Sequence, residues 1–191
     1  LQLMMHGFRH KPMVVVARKL DNPLLERIID RIRGRVGTRV VPRRGAVRGV
    51  LKALSNREAV VMMIDQHIQD RSAVMVDFFN RPASTTSALA ALALRTGAPI
   101  IPVFALPLPG GRYRMIYETP IEAPDPASPD AVHMMTQRCT DVLETYVRRY
   151  PELWLWMHRR WRVVDAVAGT GDPGCSDTDP SGAGAAGTGG D

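Results

Sequence analysis

A chain of 191 residues, 45% of them hydrophobic, is long enough to bury one sizeable core and too short for two comfortable domains. Its two cysteines give no disulfide framework and no metal spacing, and no apolar run approaches the roughly 20 residues of a membrane-crossing helix. The net charge of +6 is unevenly spread: Leu1 to Arg57 carries fourteen basic side chains against three acidic ones, whereas Val163 onward carries five Asp and no Lys or Arg. A basic end of this kind implies an anionic partner, which narrows the choice to nucleic acid, a membrane surface or a phosphorylated small molecule.

In chain order, "KPMVVVAR" reads as a buried strand that ends at Ala17 and Arg18. In "DNPLLERIIDRIRG" Asn22 is the N-cap, Pro23 takes the first helical position, and Gly34 takes the position after the last turn. Leu24, Leu25, Ile28, Ile29 and Ile32 form the inward stripe of that helix. "TRVVP" is a short strand, Gly45 to Leu54 a second helix with Val47, Val50, Leu51 and Leu54 inward, and "EAVVMMID" a third strand. "AVMVDFF" is extended, and "STTSALAALALRTGAP" reads as a helix capped by Ser84 or Thr85 and stopped by Gly97 and Pro99. "IIPVFALPL", the turn "PGG" and "RYRMIYETPIE" predict a hairpin, and a long helix runs from Asp130 to about Tyr150.

All three tryptophans then fall within "YPELWLWMHRRWR", interleaved with His158, Arg159, Arg160 and Arg162. If Pro151 opens a helix, Trp154, His158 and Trp161 share one face at i, i+4 and i+7. Such a helix either docks its tryptophans in the core or presents an aromatic and basic face to an anionic boundary. Residues 164–191 are Gly, Ala, Ser, Thr, Asp and Pro for the most part, too polar to bury a core, and are expected as a disordered tail behind a single domain at 1–163.

Alternating strands and helices predict an α/β fold with a mostly parallel central sheet flanked by helices. Ligands in such sheets sit beyond the carboxyl ends of the strands, which singles out Arg18 after one strand and Asp65 with Gln66 after another. The planar guanidinium of Arg18 suits a phosphate, although a solvated arginine is common at such a place. Asp65 is suited to orienting a base, binding a cation or capping a turn, and a loop acid after a strand is cheap to lose structurally. His67 lacks a Ser or Cys nucleophile at a recognisable spacing, and no second His or Cys pattern suggests zinc, so no metal or other cofactor is expected. Phe78 and Phe79 fit the core better than an acyl pocket. The basic region lacks interleaved aromatics and spreads over several elements, which disfavours nucleic acid.

Taken in order, "VVARKLDNPLLERIIDRIRGRVG", "RRGAVRGVLKAL", "IDQH", "VDFFNRPASTTSALAALALRTGAPIIPVFA", "GRYRMIYETPIE" and "YPELWLWMHRRWR" resemble the late lipid A acyltransferases, the lauroyl and myristoyl transferases with the related phosphatidylinositol-mannoside acyltransferases. The resemblance implies a glycerolipid-acyltransferase-like fold. It further implies transfer of a fatty acyl group, from acyl carrier protein or acyl-CoA, to a hydroxyl of a membrane glycolipid at the cytoplasmic face of the bacterial inner membrane. Arg18, Asp65 and Gln66 are then the expected substrate-binding residues, Arg159, Arg160 and Trp161 the lipid-facing ones, and no nucleic-acid partner is expected. A non-enzymatic basic module that binds nucleic acid is the alternative.

The family's catalytic signature is a His followed five residues later by Asp or Glu, the imidazole acting as general base and the carboxylate fixing its tautomer. Here Lys11, Val15, Ser72, Arg138 and Val163 occupy those positions after the five histidines. The signature's place in the family is just upstream of the strand that ends at Arg18, hence before Leu1. With no initiator Met, this makes a fragment lacking its N-terminal anchor and catalytic pair the expectation, and a dead homologue the less economical alternative.

Overall fold

The computed structural model describes residues 13–17, 22–34, 38–42, 45–69 and 73–161. Arg18, Arg162, Cys175 and the tail lie outside the described residues. β1 (Met13–Ala17) is followed by α1 (Pro23–Gly34), β2 (Thr38–Pro42), α2 (Ala46–Ser55) and β3 (Ala59–Val61). The three strands form a parallel sheet in the order β2-β1-β3. The chain therefore steps to one side of β1 and then returns across it, which puts a change of direction at β1, the strand that ends just before Arg18.

Local chemistry explains these elements. The Asn22 carboxamide oxygen accepts the Leu24 and Leu25 N–H groups at 2.9 and 3.2 Å, so it caps α1 as its sequence predicts. Gly34 is the last residue of the helix and does not follow it. The inward stripe is only partly covered: Leu24, Leu25 and Ile28 on α1 and Val47 on α2 stand exposed, while Val50 and Ala53 are buried. Gly49 lies where α2 crosses β2, and a Cβ there would meet the Val41 Cγ1 at 2.9 Å. That close approach accounts for a glycine inside a helix, a position it otherwise disfavours.

The mostly parallel sheet is confined to these three strands. β4 (Ala73–Asp77) and β5 (Pro82–Thr86) form an antiparallel pair, as do β6 (Val103–Leu108) and β7 (Arg112–Tyr117), the hairpin read from the sequence. Ser84 and Thr85 are thus strand residues and not a helix cap; α3 (Ala88–Thr96) starts after Ser87 and ends at Gly97, whose φ of 68° suits a glycine. The motif "FFNR" is the two-residue turn between β4 and β5. The Phe78 N–H donates to the Arg81 carbonyl at 3.0 Å, and Phe79 and Asn80 adopt φ of 59° and 55°, as a primed hairpin turn requires.

α4 (Ala131–Arg149) packs against α3 through Ala90, Ala93, Ile100, Met135 and Cys139. It also closes the side of β4 that does not face β5. On one face of α4, the His133 Nε2 lies 2.8 Å from the Met75 carbonyl, and Gln137 accepts the Asp77 N–H at 2.8 Å while donating to its carbonyl at 2.9 Å. Further along, Glu144 accepts the Phe79 N–H at 2.6 Å. Side chains of a helix here satisfy strand groups that an exposed edge leaves open.

The segment after α4 is not the helix that Pro151 suggested. A single 3₁₀ turn at Pro151–Leu153 gives way to irregular turns held by Trp156 N–H to the Trp154 carbonyl (2.9 Å), His158 N–H to Leu155 (3.0 Å) and Arg160 N–H to His158 (2.8 Å). Among the described residues, no helix is long and apolar enough to cross a membrane.

Candidate functional site

Phe78 is fully buried and organises the end of the molecule that carries the tryptophans. Trp161 stacks on its ring at 5.5 Å, Trp154 tilts against it at 5.7 Å, and Phe79 meets it edge-on at 4.8 Å. The Trp161 indole N–H donates to the Phe78 carbonyl at 3.0 Å, and the Arg81 guanidinium lies 5.3 Å from the Trp161 ring. Trp161 is therefore half-buried against the hairpin turn.

Arg160 is a buried residue, which corrects its assignment to a lipid-facing surface. It is the largest of the fully buried side chains, with 0% of its surface exposed. One guanidinium nitrogen donates to the Ser84 carbonyl at 2.7 Å, another donates to the Thr85 hydroxyl, and the group lies 5.5 Å from the Phe78 ring. Burial pulls its pKa below the ordinary arginine value, and the Asp65 carboxylate acts against that pull. A guanidinium stays protonated in a protein, so its charge is held here by the two hydrogen bonds it donates and by the attraction of the Asp65 carboxylate, which lies beyond ion-pair distance. Asp65 itself is half-buried, and its Oδ1 has no hydrogen-bond partner among the described residues.

Two further bonds tie the segment that leaves β3 to the same place. The His67 N–H donates to the His158 Nε2 at 3.0 Å. Ser84 donates through its hydroxyl to the Ile68 carbonyl at 2.6 Å. Residues Asp65 to Ile68, the hairpin β4–β5 and the tryptophan segment thus meet around one buried cation. Gln66 is exposed at the edge of this assembly, on the chain that emerges from the carboxyl end of β3. Ala17 ends β1 at that same edge of the parallel sheet, and Arg18 comes next in sequence.

Arg159 is exposed where Arg160 is buried. With Gln69, Arg81, Trp156, His158, Arg160 and Trp161 it lines an open groove of about 570 Å³, and no Asp or Glu contributes to the lining. Arg81, Gln69 and His158 were not singled out as binding residues in the sequence. For Arg81 the one signal was its place after the "FFN" turn, which carries no charge pattern of its own. Among the described residues, no group of three or more His, Cys, Asp and Glu is placed to hold a metal ion.

A family model described as bacterial lipid A biosynthesis acyltransferase matches residues 1–163. The chain is 31% identical over 154 residues to an Escherichia coli protein named lipid A biosynthesis lauroyltransferase, covering 80% of this chain and 49% of that one. It is 27% identical over 157 residues to a Haemophilus influenzae lipid A biosynthesis acyltransferase, covering 81% of this chain and 49% of the relative. A Mycobacterium tuberculosis phosphatidylinositol mannoside acyltransferase is 30% identical over 157 residues, covering 80% and 48%. The chain spans about half the length of these curated relatives.

Proposed function

Because the chain belongs to the bacterial lipid A biosynthesis acyltransferase family, we propose that it serves in transfer of a fatty acyl chain to a hydroxyl of a membrane glycolipid, a lipid A precursor or a similar phosphorylated acceptor. The donor in this reading is acyl carrier protein or acyl-CoA, and the reaction takes place at the cytoplasmic face of the bacterial inner membrane. The observation that carries the proposal is the match of the family model across residues 1–163, which includes every element around the buried arginine.

Within this reading the chain's own residues bind and position. Arg18, which follows β1 at the carboxyl edge of the sheet, takes an acceptor phosphate through its planar fork. Gln66, exposed on the neighbouring strand's exit, hydrogen-bonds the same acceptor. Asp65 acts through Arg160: the carboxylate attracts the guanidinium, and the guanidinium fixes the strand β5 and the turn before it. The general base is not among this chain's histidines, since none is followed five residues later by an acid.

The test is acyl transfer followed by mass spectrometry, with protein expressed from its complete reading frame, both donors, and phosphorylated glycolipid acceptors dispersed in detergent. An acceptor heavier by one acyl chain is the expected product. The 191-residue chain assayed alone is expected to give none, because it lacks the His and acid pair. Absence of product from the complete protein with every donor and acceptor would refute the proposal, and turnover by the purified 191-residue chain would refute the account of its base.

A further inference from the structure

Between Tyr150 and Arg160 the chain leaves the core and comes back to it. Trp154 and Arg160 are held inside, yet the side chains between and beside them face outward: Leu153 is 45% exposed, Leu155 64%, Trp156 55% and Met157 87%. Four large apolar side chains in five positions stand in water on a loop whose shape is fixed. Its turns are closed by three backbone bonds, and the Trp156 indole N–H donates to the Pro151 carbonyl at 2.7 Å. Exposed apolar surface held rigid in this way is unfavourable in water and marks a surface that is covered by something else.

The surroundings identify what covers it. Trp156 shares its groove with Arg81 and Arg159, and Arg148 and Arg149 end α4 immediately before the loop. Glu152 is the only acid between Tyr150 and Trp161. An apolar tip backed by arginines, with an indole between the two, complements a layer that is hydrocarbon inside and phosphate outside. Guanidinium groups bind phosphate through two parallel bonds, and each basic side chain near such a surface strengthens binding by about 1 kcal/mol, or roughly fivefold.

We propose that the loop Leu153–Met157 is an interfacial docking loop for an anionic lipid bilayer. Leu155, Trp156 and Met157 enter the boundary between headgroups and acyl chains, and Arg81 and Arg159 in the groove behind them bind lipid phosphate. The loop lies flat in the interface and does not cross it. This goes beyond the acyl-transfer reading and relies on it only for the expectation that a membrane holds the acceptor. It also moves the lipid-facing role from Arg160, which is buried, to its neighbours.

The experiment is co-sedimentation of the chain with vesicles of phosphatidylcholine, with and without phosphatidylglycerol. The triple variant L155S/W156S/M157S is expected to bind phosphatidylglycerol vesicles at least about tenfold more weakly at unchanged Tm, since these side chains carry the apolar part of the contact. Arg81→Gln with Arg159→Gln should weaken binding roughly 25-fold, about fivefold for each charge, and only where anionic lipid is present. Brominated lipid should quench the wild-type protein, and Trp156→Phe should remove most of that quenching because Trp154 and Trp161 are packed on Phe78. Should the triple variant fail to fold, Met157→Ser and the quenching measurement still decide the matter. Equal vesicle binding by wild type and the loop variants would overturn the proposal and leave the acyl-transfer reading intact. So would self-association or oligonucleotide binding that persists in excess vesicles and disappears in the triple variant. Activity on detergent-dispersed acceptor reports the reaction alone, so its loss would count against the proposed function and not against the docking loop.

Discussion

Replacing Arg160 with methionine keeps the length of the side chain and removes everything that makes it an arginine. Two hydrogen bonds from a charged donor disappear, to the Ser84 carbonyl at 2.7 Å and to the Thr85 hydroxyl. Each is worth about 1.5–3 kcal/mol, and two buried acceptors lose their partner. Against this, the variant no longer has to keep a cation out of water, and burial already pulls the Arg160 pKa down. Asp65 is left without the charge that faces it. The two lost bonds together cost about 3–6 kcal/mol, offset in part by the relieved desolvation, and we expect a net loss of about 3–5 kcal/mol. For a chain of this size it corresponds to a fall in Tm of roughly 6–20 °C. Circular dichroism melts and urea titrations measure it, with Arg159→Met as the control. Arg159 is exposed beside it, so its replacement should stay within about 0.5 kcal/mol of wild type. The double variant D65N/R160M separates the charge from the packing: it should be more stable than the sum of the single losses predicts, by about 1–3 kcal/mol. A fall in Tm below about 3 °C for Arg160→Met, or additive losses in the double variant, would refute this account.

Gly49→Ala should destabilise the chain by about 1 kcal/mol or more, the reverse of the usual gain for this change in a helix, because the new Cβ would lie 2.9 Å from a stiff Val41 methyl. Combining it with Val41→Ala should recover part of the loss, and urea titration of the two variants checks both statements. Burial pushes the Cys139 thiol up from an ordinary 9.0 to about 11, with Asp141 adding to the rise, so it should resist alkylation at pH 8 until the protein unfolds, as peptide mapping would show. The sign follows from linkage: a raised folded-state pKa gives stability that is complete below pH 9 and lost as pH rises towards 11, on the order of 3 kcal/mol at most from this group, and Cys139→Ala should flatten the fall in that window.

Where neighbouring residues decide the conformation, the sequence was readable. The carboxamide of Asn22 caps the helix that Pro23 opens, "TRVVP" is a strand with the bounds its composition suggests, and glycines 110 and 111 turn the hairpin β6–β7. Ser84 and Thr85 were misread for a physical reason. Hydroxyls ahead of an apolar run signal a helix cap, but here Ser84 donates to Ile68 and Thr85 accepts from Arg160, seventy-five residues away. The attraction between the Asp65 carboxylate and the buried Arg160 guanidinium is likewise invisible in sequence. The apolar stripe of α1 shows the opposite failure, since its periodicity is clear and yet Leu24, Leu25 and Ile28 are exposed.

The tryptophan segment joins these cases. Read as a helix, "WLWMHRRW" places Trp154, His158 and Trp161 on one face and leaves Arg159 and Arg160 as equivalent surface charges. The turns break that equivalence. Phe78 holds both Trp154 and Trp161 against its ring, and the chain between them runs through irregular turns instead of a helix. Those turns bury Arg160 and leave Arg159 exposed, and they pack Trp154 inward while Leu155 to Met157 stand out. The buried guanidinium then holds the return of the loop to the hairpin β4–β5. On this argument the exposed apolar tip is rigid only as long as Arg160 stays bonded to Ser84 and Thr85. Arg160→Met should therefore weaken vesicle binding as well as stability, although Arg160 does not touch lipid. Arg159→Met should do the reverse, weakening binding to anionic vesicles at unchanged Tm. If both substitutions lowered binding and Tm in the same proportion, the inside and outside roles assigned to these adjacent arginines would be wrong.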